Sequence, residues 1–214
     1  IVQPGTLERK GSWKDSANAN FDALELLEKL QTENRLATPE EQQVLAKYVG
    51  WGAGELANNV FPGINARNRT TIYPEWAKDG WKDVAQRAKD YFENRPDELA
   101  SALQSTLNAH FTPEPVIRGI WNAISNFGFK SGSIFEPGAG IGLFASAAPQ
   151  TIIENSRYTA IEREPMTAAI ATQLLQKQNI LSGDFITQKF PEQYFDVAVG
   201  NPPFQDLKVL SDPK

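Results

Sequence analysis

Asn201, Pro202, Pro203 and Phe204 follow a short apolar run, Val197 to Val199, that reads as a buried strand. Gly200 and the two prolines cannot continue a sheet ladder, so the strand is expected to stop at Asn201. An amide side chain, rigid backbone carbonyls and an aromatic ring then lie at the carboxyl end of a strand, where open α/β sheets place their ligands. These groups suit one kind of chemistry. The exocyclic amine of adenine is a poor nucleophile because its lone pair is delocalised into the ring, and it must become more tetrahedral to attack an electrophile. Acceptors on both amine hydrogens stabilise that geometry, and the Asn201 side-chain oxygen and the Pro202 carbonyl are two such acceptors. Phe204 can stack on the base.

Such a tetrad needs a sheet and a second ligand beside it. Ser133 to Glu136 reads as a strand, Pro137-Gly138-Ala139-Gly140-Ile141-Gly142 as a glycine-rich turn, and Leu143-Phe144 as a helix start. Glycines let the backbone approach a ligand and adopt left-handed conformations. A second strand, Tyr158 to Ile161, ends in Glu162, 24 residues beyond Gly138. An acid about 20 residues past the loop can accept both hydroxyls of a ribose. This pattern by itself fits a nicotinamide or flavin enzyme equally well. Asp184 and Phe185 then end a third segment, Ile180 to Phe185, and the Asn201 strand is the fourth. Upstream, Thr112 and Pro113 are expected to cap and open a helix whose buried stripe is Val116, Ile117, Ile120, Trp121 and Ile124, and which Gly128 ends.

In order, Phe111-Thr112-Pro113, Phe135 through Gly142, Glu162, Asp184-Phe185 and Asn201-Pro202-Pro203-Phe204 resemble the successive motifs of class I S-adenosylmethionine-dependent methyltransferases of the DNA adenine-N6 type. The resemblance implies an α/β fold with a Rossmann-like sheet and S-adenosyl-L-methionine as cofactor. It puts Phe111, Thr112 and Pro113 over the methionine end and Glu136, Pro137, Gly138 and Gly140 beneath the cofactor. Glu162 would hold the ribose, Asp184 the adenine amine and Phe185 the adenine face, with Asn201 between cofactor and base. It also implies double-stranded DNA as partner, with the target adenine flipped out of the duplex. Related tetrads serve protein glutamine and RNA guanine, so those acceptors stay open. So does a structural, DNA-protecting role without turnover.

A second resemblance covers Leu36 to Gln42, Tyr48 to Gly52 and Ser105 to Thr112, which are similar to the opening of very large phage and plasmid antirestriction-type proteins in which a methyltransferase module precedes a helicase module. The chain ends ten residues after Phe204, so the sheet is expected to continue in a longer protein. No Walker-type phosphate loop is present in the sequence, which assigns any helicase-like activity to other domains of that protein.

The first hundred residues read as a helical N-terminal lobe, 1–100, ahead of the 101–214 methyltransferase domain. Residues 1–20 are polar and expected to be a flexible arm. Phe21, Leu24, Leu27 and Leu30 recur at helical spacing, with Asn20 or Asp22 as cap. Thr38-Pro39-Glu40-Glu41 announces a second helix through a capping box, running to Gly50. Gly50-Trp51-Gly52-Ala53-Gly54 follows a helix and not a strand, so it reads as a turn that buries Trp51. Residues 62–72 read as a loop exposing Arg67, Asn68 and Arg69. Trp76 and Trp81 are expected to pack between helices, and Leu99, Leu103 and Leu107 to form one face of a helix from Pro96 to Ala109.

Composition sets outer bounds. With 214 residues, 41% hydrophobic and 22% charged, the chain is ordinary globular material. The absence of Cys and the single His exclude disulfides and thiolate zinc and leave no expected metal site. No run approaches a membrane span, so a cytoplasmic protein with no membrane partner is expected. Net charge is −5, with 13 Lys+Arg against 16 Asp+Glu in residues 1–110 and 8 against 10 in 111–214. Neither half has the basic excess that marks an electrostatic DNA footprint, so phosphate contacts are expected from local patches or from other domains.

Overall fold

Ser12 and Asp15 set where the chain becomes helical. The Ser12 hydroxyl accepts the Asp15 N–H at 3.2 Å and the Asp15 carboxylate accepts the Ser12 N–H at 2.8 Å, a reciprocal cap that satisfies two otherwise orphaned donors. Helix α1 therefore runs Trp13–Thr32, and the expected arm is helix from residue 13 onward. Its start is cued by an acid at the third position, here Asp and not the usual Glu. The structure, a computed structural model, describes residues 11–64, 71–106 and 112–201.

Helix α2, Pro39–Leu45, has the expected Thr38–Glu41 capping box but ends five residues before Gly50. Arg35 grips the Glu41 carboxylate with two nitrogens at 2.6 and 2.7 Å, and that pairing holds the Glu41 carboxyl down at about 2. Trp51 is fully buried against Phe21, Tyr48 and Phe61. Buried Asn20 fixes its turn, accepting the Val49 N–H at 2.8 Å and donating to the Gly50 carbonyl at 2.7 Å. Helix α3 is Gly54–Val60, a 3₁₀ turn spans Pro74–Trp76, α4 is Lys82–Phe92 and α5 is Pro96–Ser105. Trp81 is buried as expected, whereas Trp76 is 54% exposed and stacks on Tyr73 with centroids 4.5 Å apart. The correction follows from the 3₁₀ turn, too short to carry a buried stripe. Leu99 is buried and Leu103 partly so; Leu107, Arg67, Asn68 and Arg69 lie outside the described residues.

The second half is a mixed α/β unit. Helix α6, Glu114–Asn126, starts after Pro113, and no Thr112 side chain caps it. Ile117 and Trp121 point inward, but Val116 is half exposed because it sits one position around the helix from that stripe. Strand β1 is Ser133–Pro137, followed by short helices α7, Leu143–Ala147, and α8, Gln150–Glu154. Strand β2 is Arg157–Glu162, α9 is Pro165–Leu174, β3 is Asn179–Ser182 and β4 is Val197–Ala198. All strand pairs are parallel and their order is β3-β2-β1-β4. One sheet face carries Ile134, Tyr158, Ala160 and Val199 into a core with Ile117, Trp121, Phe144 and Ile152. The Trp121 indole N–H donates to the Phe144 carbonyl at 2.9 Å, tying α6 to α7. From the other face Phe135 stacks on Phe195 at 4.8 Å.

Helix α9 lies between the sheet and the N-terminal helices. It contacts β2 and β3 as well as α1 and α2. Ile141, Met166 and Ile170 join the core that α1 to α5 build. At its far end Gln173 accepts the Ala37 N–H at 2.8 Å, Gln176 donates to the Ala37 carbonyl at 2.8 Å, and Gln42 donates to the Gln173 carbonyl at 2.9 Å.

Candidate functional site

The site is built from the carboxyl ends of four parallel strands. Strands β1, β2 and β3 step in one direction across the sheet and β4 returns to the other side of β1. The crevice between β1 and β4 is the point where connections diverge, and such switch points leave room for a ligand. After β1 the chain turns at Gly138, Gly140 and Gly142, whose φ angles of 67°, 57° and 84° are left-handed and disfavour any side chain. The Ala139 N–H donates to the Ile161 carbonyl at 3.0 Å, anchoring this loop over β2.

Glu162, the last residue of β2, is partly buried and holds two amides. Its Oε2 accepts the Gly140 N–H and its Oε1 the Glu164 N–H, both at 2.8 Å. An ionised carboxylate has about four lone-pair sites, so capacity for a hydroxyl donor remains beside these amides. Burial pushes its carboxyl upward and the Glu164 charge adds to that, against the pull of the backbone amides. The Glu162 carbonyl accepts the Gly183 N–H at 2.8 Å, which brings the end of β3 alongside. Asp184 follows and caps a 3₁₀ turn, Phe185–Thr187, accepting the Ile186 N–H at 3.0 Å. Phe185 is 40% exposed, an apolar ring left at the rim.

On the other side of the crevice, Gly200 lies against the end of β1: a Cβ there would stand 3.1 Å from the Pro137 carbonyl oxygen and 3.7 Å from Glu136 Cγ. Asn201 comes next and so begins beside the glycine loop. The approach of β4 to β1 is fixed by Asp196, whose carboxylate accepts the Ser133 N–H at 2.7 Å. Glu136 is fully buried and accepts the Tyr158 hydroxyl at 2.7 Å. Burial raises its carboxyl to about 8, although the Tyr158 hydroxyl and the Phe144 amide pull the other way. Pro113 precedes α6 and its carbonyl accepts the Val116 and Ile117 amides at 3.0 and 3.2 Å, with Thr112 before it. Phe111, Pro202, Pro203 and Phe204 lie outside the described residues.

The structure thus brings together Pro137, Gly138, Gly140, Glu162, Asp184 and Asn201 at one end of the sheet. It adds residues that the sequence expectation does not contain. Glu164 caps α9, with its carboxylate accepting the Thr167 amide at 2.7 Å, the Thr167 hydroxyl at 2.6 Å and the Met166 amide at 3.2 Å. The signal for it is in the sequence, an acid immediately before a proline that opens a helix. Ser101 and Tyr158, which reach Glu164 and Glu136 from other elements, have no local cue. Among the described residues no group of His, Cys, Asp or Glu could hold a metal ion, and no helix is long and apolar enough to cross a membrane.

A mixed α/β chain with a four-stranded parallel sheet and a glycine loop at its switch point is what fold and site define. No family model matches it. Over 104 residues the chain is 28% identical to "Defense against restriction protein B" of Escherichia phage P1, a match covering 48% of this chain and 4% of that protein. Among solved structures it is similar to the methyltransferase subunit of a type I restriction-modification system from Streptococcus thermophilus, with 13% identity, a TM-score of 0.39, and coverage of 88% of this chain and 57% of the other. The chain therefore spans a small fraction of the phage protein and somewhat over half of the bacterial subunit.

Proposed function

We propose that this chain is the cofactor-binding part of an S-adenosylmethionine-dependent methyltransferase acting on the N6 amine of adenine in double-stranded DNA, in a phage- or plasmid-type protein that protects DNA from restriction. The observation that supports the reading is that the glycine loop, Glu162, Asp184 and Asn201 each stand at or just past the carboxyl end of one of four neighbouring parallel strands, at one end of the sheet. The strand order is that of the first four strands of a doubly wound Rossmann-like sheet. Loop glycines without side chains and a carboxylate with free lone pairs fit a nucleoside with a ribose to hold. The similarity to the phage defence protein favours the restriction context.

In this reading residues 1–100 form a helical lobe and 101–214 the domain it supports. The cofactor supplies an electrophilic methyl group. Glu162 accepts the ribose hydroxyls, Asp184 the adenine amine of the cofactor, and Phe185 covers its ring. Asn201 and Pro202 accept the hydrogens of the target amine and orient its lone pair, and Phe204 stacks on the flipped base. A second reading, a DNA-protecting component without turnover, draws on the same phage similarity.

Calorimetric titration with S-adenosylmethionine tests the cofactor assignment, using the chain, the longer protein that carries it and Glu162→Ala. Binding that the substitution removes supports it, and silence from the longer protein as well overturns it in favour of the protecting component. Transfer of labelled methyl to an adenine-containing duplex, and not to protein or RNA, supports the acceptor; the reverse outcome reassigns it to glutamine or guanine.

A further inference from the structure

Ser101 belongs to α5, in the helical half, yet its hydroxyl donates to Glu164 Oε1 at 2.9 Å. The bond crosses from the helical core to the helix that follows β2. Glu164 is not free to move independently of the site: its own N–H donates to Glu162 Oε1, and Glu162 Oε2 accepts the Gly140 N–H. Three hydrogen bonds of 2.8 to 2.9 Å therefore join α5 to the glycine loop through two acids.

The acids are positioned from opposite sides. Glu164 is buried, and its carboxylate is surrounded by donors from Thr167, Met166 and Ser101. Three bonds come from α9 itself, the Met166 amide and the Thr167 amide and hydroxyl. The fourth, from Ser101, is the bond that ties the Glu164 carboxylate to α5. Glu162 in turn clamps the loop only while its carboxylate plane stays aligned with both amides, since hydrogen bonds weaken steeply off axis.

We infer that Ser101 and Glu164 are positioning residues by which the helical lobe sets the orientation of Glu162 and the glycine loop, and hence the affinity of the site for the ribose of an adenosyl ligand. The wiring is a property of the free chain; its effect on affinity rests on the cofactor reading above. Ser101→Ala is the direct probe, because Ala is a good helix former and leaves α5 intact. Ser101→Thr restores the hydroxyl.

Two measurements on the chain test it. In amide hydrogen exchange without ligand, Ser101→Ala is expected to lower protection at the Gly140 and Glu164 amides while amides in the middle of α1 keep theirs, and Ser101→Thr to return the wild-type pattern. In titration with S-adenosylhomocysteine, Ser101→Ala is expected to weaken binding by roughly 2- to 30-fold, the range of mutations along a coupled network. It is expected to add little to Glu162→Gln, because it acts through that residue. Unchanged exchange at Gly140, or a Ser101→Ala effect that adds in full to Glu162→Gln, overturns the inference and leaves the cofactor site standing. If the wild-type chain and the longer protein bind no adenosyl ligand, the cofactor reading fails and the affinity role with it, whatever the exchange shows.

Discussion

The Gly140 N–H donates to Glu162 Oε2 at 2.8 Å, so the acid at the tip of β2 holds the loop that follows β1. That carboxylate keeps a left-handed glycine turn in place at the end of the sheet where the strands' carboxyl termini lie. That arrangement separates residues that shape the site from those that would do chemistry in it, and the two groups respond differently to substitution.

Asn201→Ala is expected to lower methyl transfer by at least about 10²-fold, the cost of losing one oriented polar group at a reacting centre. Affinity for S-adenosylmethionine should stay close to wild type. Single-turnover rates and calorimetry on the same preparation check this, and equal loss of both would reassign Asn201 to cofactor binding alone.

Gly142→Ala places a side chain where φ is 84° and a Cβ would stand 2.3 Å from Leu175 Cδ1. The left-handed backbone alone costs about 1–2 kcal/mol. Urea denaturation should show that loss plus a contact component. Because the contact is with the end of a side chain, the double variant Gly142→Ala/Leu175→Ala should lose less than the two single variants together.

Glu136 makes stability depend on pH. Its folded carboxyl is raised from 4.5 to about 8 by burial, so between these values the folded state holds a proton that the unfolded state has released. Stability from this group is therefore full below pH 4.5, falls as pH rises, and levels off above pH 8. Glu136→Gln should flatten that fall, so that the melting temperatures of variant and wild type diverge in the variant's favour from pH 5 to pH 8. A constant difference across that range would show that the Glu136 carboxyl does not titrate there.

Asn20→Ala removes the side chain that satisfies both the Val49 N–H and the Gly50 carbonyl under buried Trp51. Leaving two buried groups without partners costs about 2–4 kcal/mol. Chemical denaturation followed by Trp fluorescence should report a lower midpoint with an unchanged slope.

Several of these elements were legible in the residues themselves. The Thr38–Glu41 capping box, the glycine run after β1 and Glu162 at the tip of β2 are local signals, carried by capping chemistry and left-handed turns, whereas β4 already ends at Ala198, three residues before the expected stop at Asn201. The start of α1 at Ser12 was local too, but its cue was an Asp where a Glu is usual. Trp76 was not legible: whether a tryptophan is covered depends on what the rest of the chain packs against it, and a three-residue turn gives no period from which to read a face.

What the order of residues determined by itself is the set of local conformations and their sequence along the chain: strand, glycine turn, strand with a terminal acid, strand, and a last short strand ahead of Asn201. Strand order was decided only in three dimensions, because parallel pairing depends on crossovers and on which faces the helices bury. The same holds for the bonds from Ser101 to Glu164 and from Tyr158 to Glu136, which join residues 63 and 22 positions apart. A hydroxyl or a carboxyl carries no mark in sequence of the partner that burial will give it; the packed core selects that partner, since a buried polar group without one is costly.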